Sequence, residues 1–273
     1  MKSKILSSCT FGLVVFIAAT LAWGLFIGHP DQTQGITVPI DIWAAKPMVA
    51  HALGGYNGLS YTNSIEALES NYAKGFRFFE MDLYLTTDSN LIGFHETVLE
   101  ANAIKSTTYF MQDSLNENYT IATLDQVLDF MLEHTDMYLI IDTKDGPWND
   151  MLIYEVLTKK CLKKGSNVID RIIPQVYSDL MYEKNIKDYN FHNIIYSIYK
   201  EDYQQDINII RFLELHGTGI QVVTIPEKRA TEEFVQELKA LDKLVYVHTI
   251  NTKSAWSKYK ALGVDGIYTD KLH

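Results

Sequence analysis

Glu80 and Asp82 stand two residues apart in the stretch FRFFEMDLYL at 76–85, whose composition is that of a β-strand. Side chains alternate along a strand, so Phe76, Phe78, Glu80, Asp82 and Tyr84 share one face, and Arg77, Phe79, Met81, Leu83 and Leu85 share the other. The second face is apolar apart from Arg77 and suits packing under helices. Both acids therefore turn inward, where two like charges are costly unless a cation sits between them. The run YLIIDTK at 138–144 repeats the pattern. Tyr138, Ile140, Asp142 and Lys144 face one way, so Asp142 completes a set of three carboxylates and Lys144 points toward the same mouth. A structural ion-pair cluster is the competing reading. It is the weaker one, because Arg77 points away and one lysine remains for three acids. Oxygen ligands without Cys or necessary His suit a hard ion, Mg²⁺ or Ca²⁺, rather than zinc. His51 and His95 each end a strand-like run near these acids, and His51 leads into Leu53-Gly54-Gly55, where a ligand can approach bare backbone. Two imidazoles beside a divalent ion match phosphodiester chemistry: one takes a proton from the attacking oxygen, the other gives one to the leaving oxygen. His134, His192 and His216 fall in helical contexts and read as packing or surface residues. His248 is open between pocket lining and core.

The elements that must position these groups are eight β-rich runs, at 48–52, 76–85, 138–143, 171–178, 193–199, 220–226, 243–250 and 266–270, with a short extra run at 91–96. Helical patterns fall between them at 62–74, 123–134, 149–164, 179–188, 203–216, 231–240 and 252–262. Asn63 with Glu66 and Thr123 with Gln126 have capping-box spacing. Eight strand–helix alternations predict an α/β fold, a parallel (β/α)8 TIM barrel. Pro174 removes a ladder donor from the fourth run. Residues 97–122, rich in Asn, Thr and Ser, read as an insertion over one rim, and Tyr56, Tyr61 and Tyr84 lie near the expected mouth.

The chain has 273 residues, 47% of them hydrophobic and 21% charged, which suits a packed core and excludes disorder as the main state. Its net charge of −10 disfavours nucleic acid as a partner, and its 2 cysteines cannot build a disulfide framework. Residues 10–27 carry no charge and follow Lys2 and Lys4. That pattern predicts an N-terminal transmembrane signal anchor, or a cleaved signal peptide, over 1–27. A linker over 28–47 and a barrel domain over 48–273 follow. The expected location is the cell membrane, crossed once, with the barrel on the extracytoplasmic side, or secreted if the segment is cleaved.

The segments VAHALGG at 49–55, TNSIEALESNYAKGFRFFEMDLYLTTDSNLIGFHE at 62–96, IIDTK at 140–144 and GVDGIYTD at 263–270 together resemble the glycerophosphodiester phosphodiesterase family, within the wider phospholipase-C-like phosphodiesterase barrels. The block from Gly75 to His95 carries most of the specificity. The resemblance implies a metal-dependent phosphodiesterase acting on a glycerophosphodiester, a phospholipid headgroup or an envelope polymer. It implies His51 and His95 as the acid/base pair, Glu80 and Asp82 as metal carboxylates, and Asp142 in the place of a metal-binding Glu. Lys144 matches the lysine that contacts phosphate. In such enzymes a substrate hydroxyl attacks phosphorus and a cyclic phosphate is then opened by water. The sequence departs from the pattern at Ala52, where an arginine is usual, at Thr62, where an acid is usual, and at Asp142, one methylene shorter than Glu. Two alternatives stay open: a catalytically impaired barrel that binds or scaffolds an envelope polymer from the membrane, and a lyase that releases the cyclic phosphate.

Overall fold

The structure is a computed structural model that describes residues 37–95, 118–143, 147–183, 189, 191–198 and 206–273. The strands are β1 (Met48–Ala50), β2 (Phe78–Leu85), β3 (Leu91–Gly93), β4 (Tyr138–Thr143), β5 (Ile172–Val176), β6 (Ile194–Ser197), β7 (Ile220–Pro226), β8 (Leu244–His248) and β9 (Gly266–Thr269). They form one sheet in the order β1-β9-β8-β7-β6-β5-β4-β2-β3, and a further β1–β2 pairing closes it. All neighbours are parallel except β3, which returns antiparallel to β2. Eight parallel strands thus close a barrel, as the alternation of patterns predicts. The ninth run is a hairpin return, not a staff of the barrel. Pro174 is accommodated within β5, opposite Ile141.

The two-residue period separates two cores. Val49, Phe78, Ile140, Ile173, Ile195, Val222, Tyr246 and Tyr268 fill the barrel interior as one apolar cluster. The alternate residues Phe79, Met81, Leu83, Leu139, Ile141, Val223, Val245, Val247 and Ile267 belong to the larger cluster shared with the helices. Burying a side chain such as Met81 or Leu83 stabilises the fold by about 1.5–3 kcal/mol. A one-residue register slip would exchange the two faces and bring Glu80 and Asp82 under helices.

Two local expectations need correction. Asn63 does not cap the helix Ile65–Ala73: the N-cap is Ser64, whose hydroxyl accepts from the Ala67 amide at 3.1 Å. Asn63 instead has φ 45°, in the left-handed region that Asn tolerates better than most residues, and its side chain serves the site. The second capping box holds, with Thr123 and Gln126 bonded reciprocally at the start of Leu124–Glu133. The stretch expected to be a linker also differs, since Ile40–Ala45 form a helix. Trp43 stacks on Phe78 at 3.9 Å and meets Tyr246 edge-on at 5.5 Å. The lower end of the interior is apolar, and a large indole covers it better than water would.

Among the described residues no helix is long and apolar enough to cross a membrane. Residues 1–36, most of the stretch 97–122 expected to lie over one rim, and Lys144 lie outside the described residues.

Candidate active site

The interior positions nearest the strand ends are polar, directly above the apolar cluster. Glu80 and Asp82 come from β2, Asp142 from β4, Gln175 from β5, Ser197 from β6 and His248 from β8. Every one of them lies a whole number of two-residue steps along its strand from an interior apolar residue, as Gln175 does from Ile173. All of them but Asp82 line a cavity of about 180 Å³ at the carboxyl ends of the strands, together with His51, Tyr61, His95, Thr249 and Tyr268. This is the end of a (β/α)8 barrel at which catalytic loops gather.

Glu80, Asp82 and Asp142 are all buried, and one ligand oxygen from each lies within 4.8 Å of the others. Asp82 and Asp142 are direct partners in the β2–β4 register, so two like charges face each other across a strand pair. Three carboxylates this close and this dry form a donor set that fits a hard divalent cation. Each is held differently. Glu80 accepts the Ala52 amide at 2.7 Å. Asn63 grips Asp82 twice: its amide donates to Oδ2 at 2.8 Å, and its oxygen accepts the Asp82 N–H at 3.0 Å. Asp142 accepts from the Tyr177 hydroxyl.

Asn63 ties three loops together. Its own N–H reaches the Ala52 carbonyl at 3.2 Å, and its carbonyl accepts from Ala122 at 2.9 Å. Gly93 passes so close that an added Cβ would lie 2.5 Å from the Asn63 Cβ. Ala52, which departs from the arginine usual in the resembled family, is fully buried with φ 49° and ψ 46°, and its backbone N–H donates to Glu80. Among the described lining residues there is no Lys or Arg.

His51 and His95 come together, their rings 6.4 Å apart with Tyr61 packed against both, at 4.9 and 4.2 Å. The antiparallel β3 brings His95 back, and the following Phe94 amide bonds the Asp82 carbonyl at 2.9 Å. His51 sits 3.9 Å from Glu80 through Nε2, while Nδ1 is 2.9 Å from Asp270. Asp270 is positioned in turn by Asn251, which donates to Oδ2 at 2.8 Å and accepts the Asp270 N–H at 2.8 Å. Burial alone would raise the Asp270 carboxyl. The hydrogen bond and charge of His51, with the Asn251 amide, outweigh it and hold the group below the usual carboxylate range. Tyr268 is pushed well above its ordinary value, first by burial and then by the charges of Glu80 and Asp142, and donates to Gln175 at 3.0 Å.

The structure therefore gathers His51, His95, Glu80, Asp82 and Asp142 in one place, and assigns His248 to the lining. Tyr84 is different: it packs with Ile92 and Ile121, away from the cavity. Sequence reasoning overlooked Asp270, Asn251, Gln175 and Tyr177. Asp270 had a signal, an acid one position beyond the last strand on its inward face, whereas Asn251 and Tyr177 had none.

A closed parallel barrel carrying buried acids at its catalytic end is the architecture of a large enzyme class. The particular family follows from the sequence itself: residues 54–273 match the glycerophosphoryl diester phosphodiesterase family, and the chain belongs to it. It is a phosphoric diester hydrolase. The fold is similar to that of a phosphodiesterase from Oleispira antarctica in complex with the product sn-glycerol-3-phosphate, at 15% identity and TM-score 0.67, covering 84% of this chain and 95% of that one. A glycerophosphodiester phosphodiesterase from Thermotoga maritima gives 19% identity and TM-score 0.63, covering 82% and 94%. One from Parabacteroides distasonis gives 20% and 0.64, covering 82% and 92%. No curated relative matches the chain significantly.

Proposed function

We propose that the chain hydrolyses a glycerophosphodiester, either a free headgroup diester or a repeating unit of an envelope polymer, with His51 and His95 as its acid/base pair. The observation that carries this reading is one cavity lined by both imidazoles together with Glu80 and Asp142, with Asp82 beside them. Asp270 accepts from Nδ1 of His51, so the ring turns its Nε2 lone pair toward the cavity, and His51 serves as the base toward the attacking hydroxyl. His95, across Tyr61, protonates the leaving oxygen. Glu80, Asp82 and Asp142 would hold a divalent ion, Ca²⁺ or Mg²⁺, which when bound supplies positive charge to the phosphoryl oxygens. Lys144 is the cationic side chain we assign to the phosphate. Gln175, Ser197, His248 and Thr249 offer hydroxyl, amide and imidazole groups to the alcohol portions.

The test is turnover of a glycerophosphodiester by the wild-type chain with added Ca²⁺ or Mg²⁺, beside His51→Ala and His95→Ala. General acid–base catalysis contributes about 10²–10⁴-fold, so each variant should fall by that order. Equal rates in all three would refute the assignment. Phosphorus NMR of the product separates complete hydrolysis from release of a cyclic phosphate. The charge-free run 10–27 behind Lys2 and Lys4 supports attachment to the cell membrane with the barrel outside. Recovery of the whole protein in a soluble cytoplasmic fraction would overturn that location.

A further inference from the structure

Asp142 is anchored unlike the other two acids. A backbone amide fixes Glu80, and the two-point grip of Asn63 fixes Asp82. Asp142 is opposed across the strand pair by the like charge of Asp82, which pushes its carboxylate away from the cluster. The hydroxyl of Tyr177 meets this carboxylate at Oδ1. Tyr177 lies one residue beyond β5, on the strand hydrogen-bonded to β4, and its ring is 6% exposed within the large apolar cluster. The hydroxyl is therefore presented from a rigid base. Asp has two side-chain torsions, and a donor fixed on Oδ1 sets the second, which determines where Oδ2 points.

We propose that Tyr177 is the positioning residue of the cation site: its hydroxyl holds the Asp142 carboxylate in the orientation that lets it share an ion with Glu80 and Asp82. This rests on the reading of the three acids as cation ligands. Partners of metal ligands are typically worth about 10–100-fold in affinity.

The experiment is calorimetric titration of the full chain with CaCl₂ and with MgCl₂, for wild type, Tyr177→Phe, Asp142→Asn and the double variant. Phe keeps the ring and its packing, so Tyr177→Phe should keep a cooperative melt in EDTA while binding either cation about tenfold or more weakly. The double variant should bind no more weakly than Asp142→Asn alone, because the hydroxyl acts through that carboxylate. Tyr177→Phe affinity within twofold of wild type overturns the proposal, and so do additive losses in the double variant. A Tyr177→Phe chain that does not fold in EDTA also overturns it, since the phenol would then serve the core. A wild-type chain that binds neither cation overturns the metal reading itself, and this proposal with it.

Discussion

Replacing Asp270 by Asn tests the base assignment through hydrogen-bond bookkeeping. Asp270 uses both carboxylate oxygens as acceptors, Oδ1 for the His51 ring and Oδ2 for the Asn251 amide. Asn at 270 keeps one oxygen and gains one NH2. If the NH2 faces Asn251, two donors confront each other in a buried place, at a cost of about 1–3 kcal/mol. If it faces His51, Nδ1 must accept, the ring proton moves to Nε2, and the cavity sees a donor where the base should be. The second arrangement wins by that cost, so the productive tautomer falls about 5- to 150-fold, and kcat/KM for a glycerophosphodiester falls with it. The exchanged pair Asn251→Asp/Asp270→Asn should recover much of the loss. Asp at 251 can accept both the residue 270 N–H, now bonded at 2.8 Å, and the new NH2, which returns the Asn oxygen to His51. Steady-state kinetics at saturating Ca²⁺ read both effects. Activity of Asp270→Asn within twofold of wild type, or an exchanged pair no better than the single variant, would refute the reasoning.

Other consequences are as direct. Gly93→Ala puts a methyl 2.5 Å from the Asn63 Cβ, so it should cost about 1–3 kcal/mol in urea denaturation and weaken cation binding by displacing the grip on Asp82. Arg171, buried, donates to the carbonyls of Met131, His134 and Met137 around the end of Leu124–Glu133; Arg171→Met should cost at least about 3 kcal/mol, read as a lower melting temperature. Because the Asp270 carboxyl is held below its unfolded value, its contribution to stability is present above about pH 4 and lost as pH falls through the folded value. Wild type should therefore lose more stability than Asp270→Asn between pH 6 and pH 3, and parallel curves would contradict this. Burial pushes the Cys161 thiol up to about 12, so peptide mapping after iodoacetamide at pH 8 should find it unmodified in the native protein and modified after denaturation.

Much of the barrel was legible in the sequence because its strands obey a two-residue period that burial enforces on both faces. Inward Glu80, Asp82 and Asp142 interrupt an otherwise apolar face, and an interruption of that kind is chemically conspicuous. The expected linker misled in its described part, 37–47, for the converse reason: prolines describe local backbone preference, while Trp43 is committed by the open apolar end of the barrel. Asn63 misled likewise. Its spacing to Glu66 suits a cap, but Ser64 takes that role and the Asn side chain goes to Asp82, 19 residues away.

The sequence by itself determined which residues must be hidden and therefore which charges must share the interior, since alternation and hydrophobicity are local properties of the chain. Only the tertiary structure decided how those charges are oriented. The Asn251–Asp270–His51 chain spans 219 residues between His51 and Asp270, and Tyr177 reaches Asp142 from 35 residues away. Hydrogen-bond partners are chosen by proximity after the barrel closes, and no periodicity along the chain encodes them.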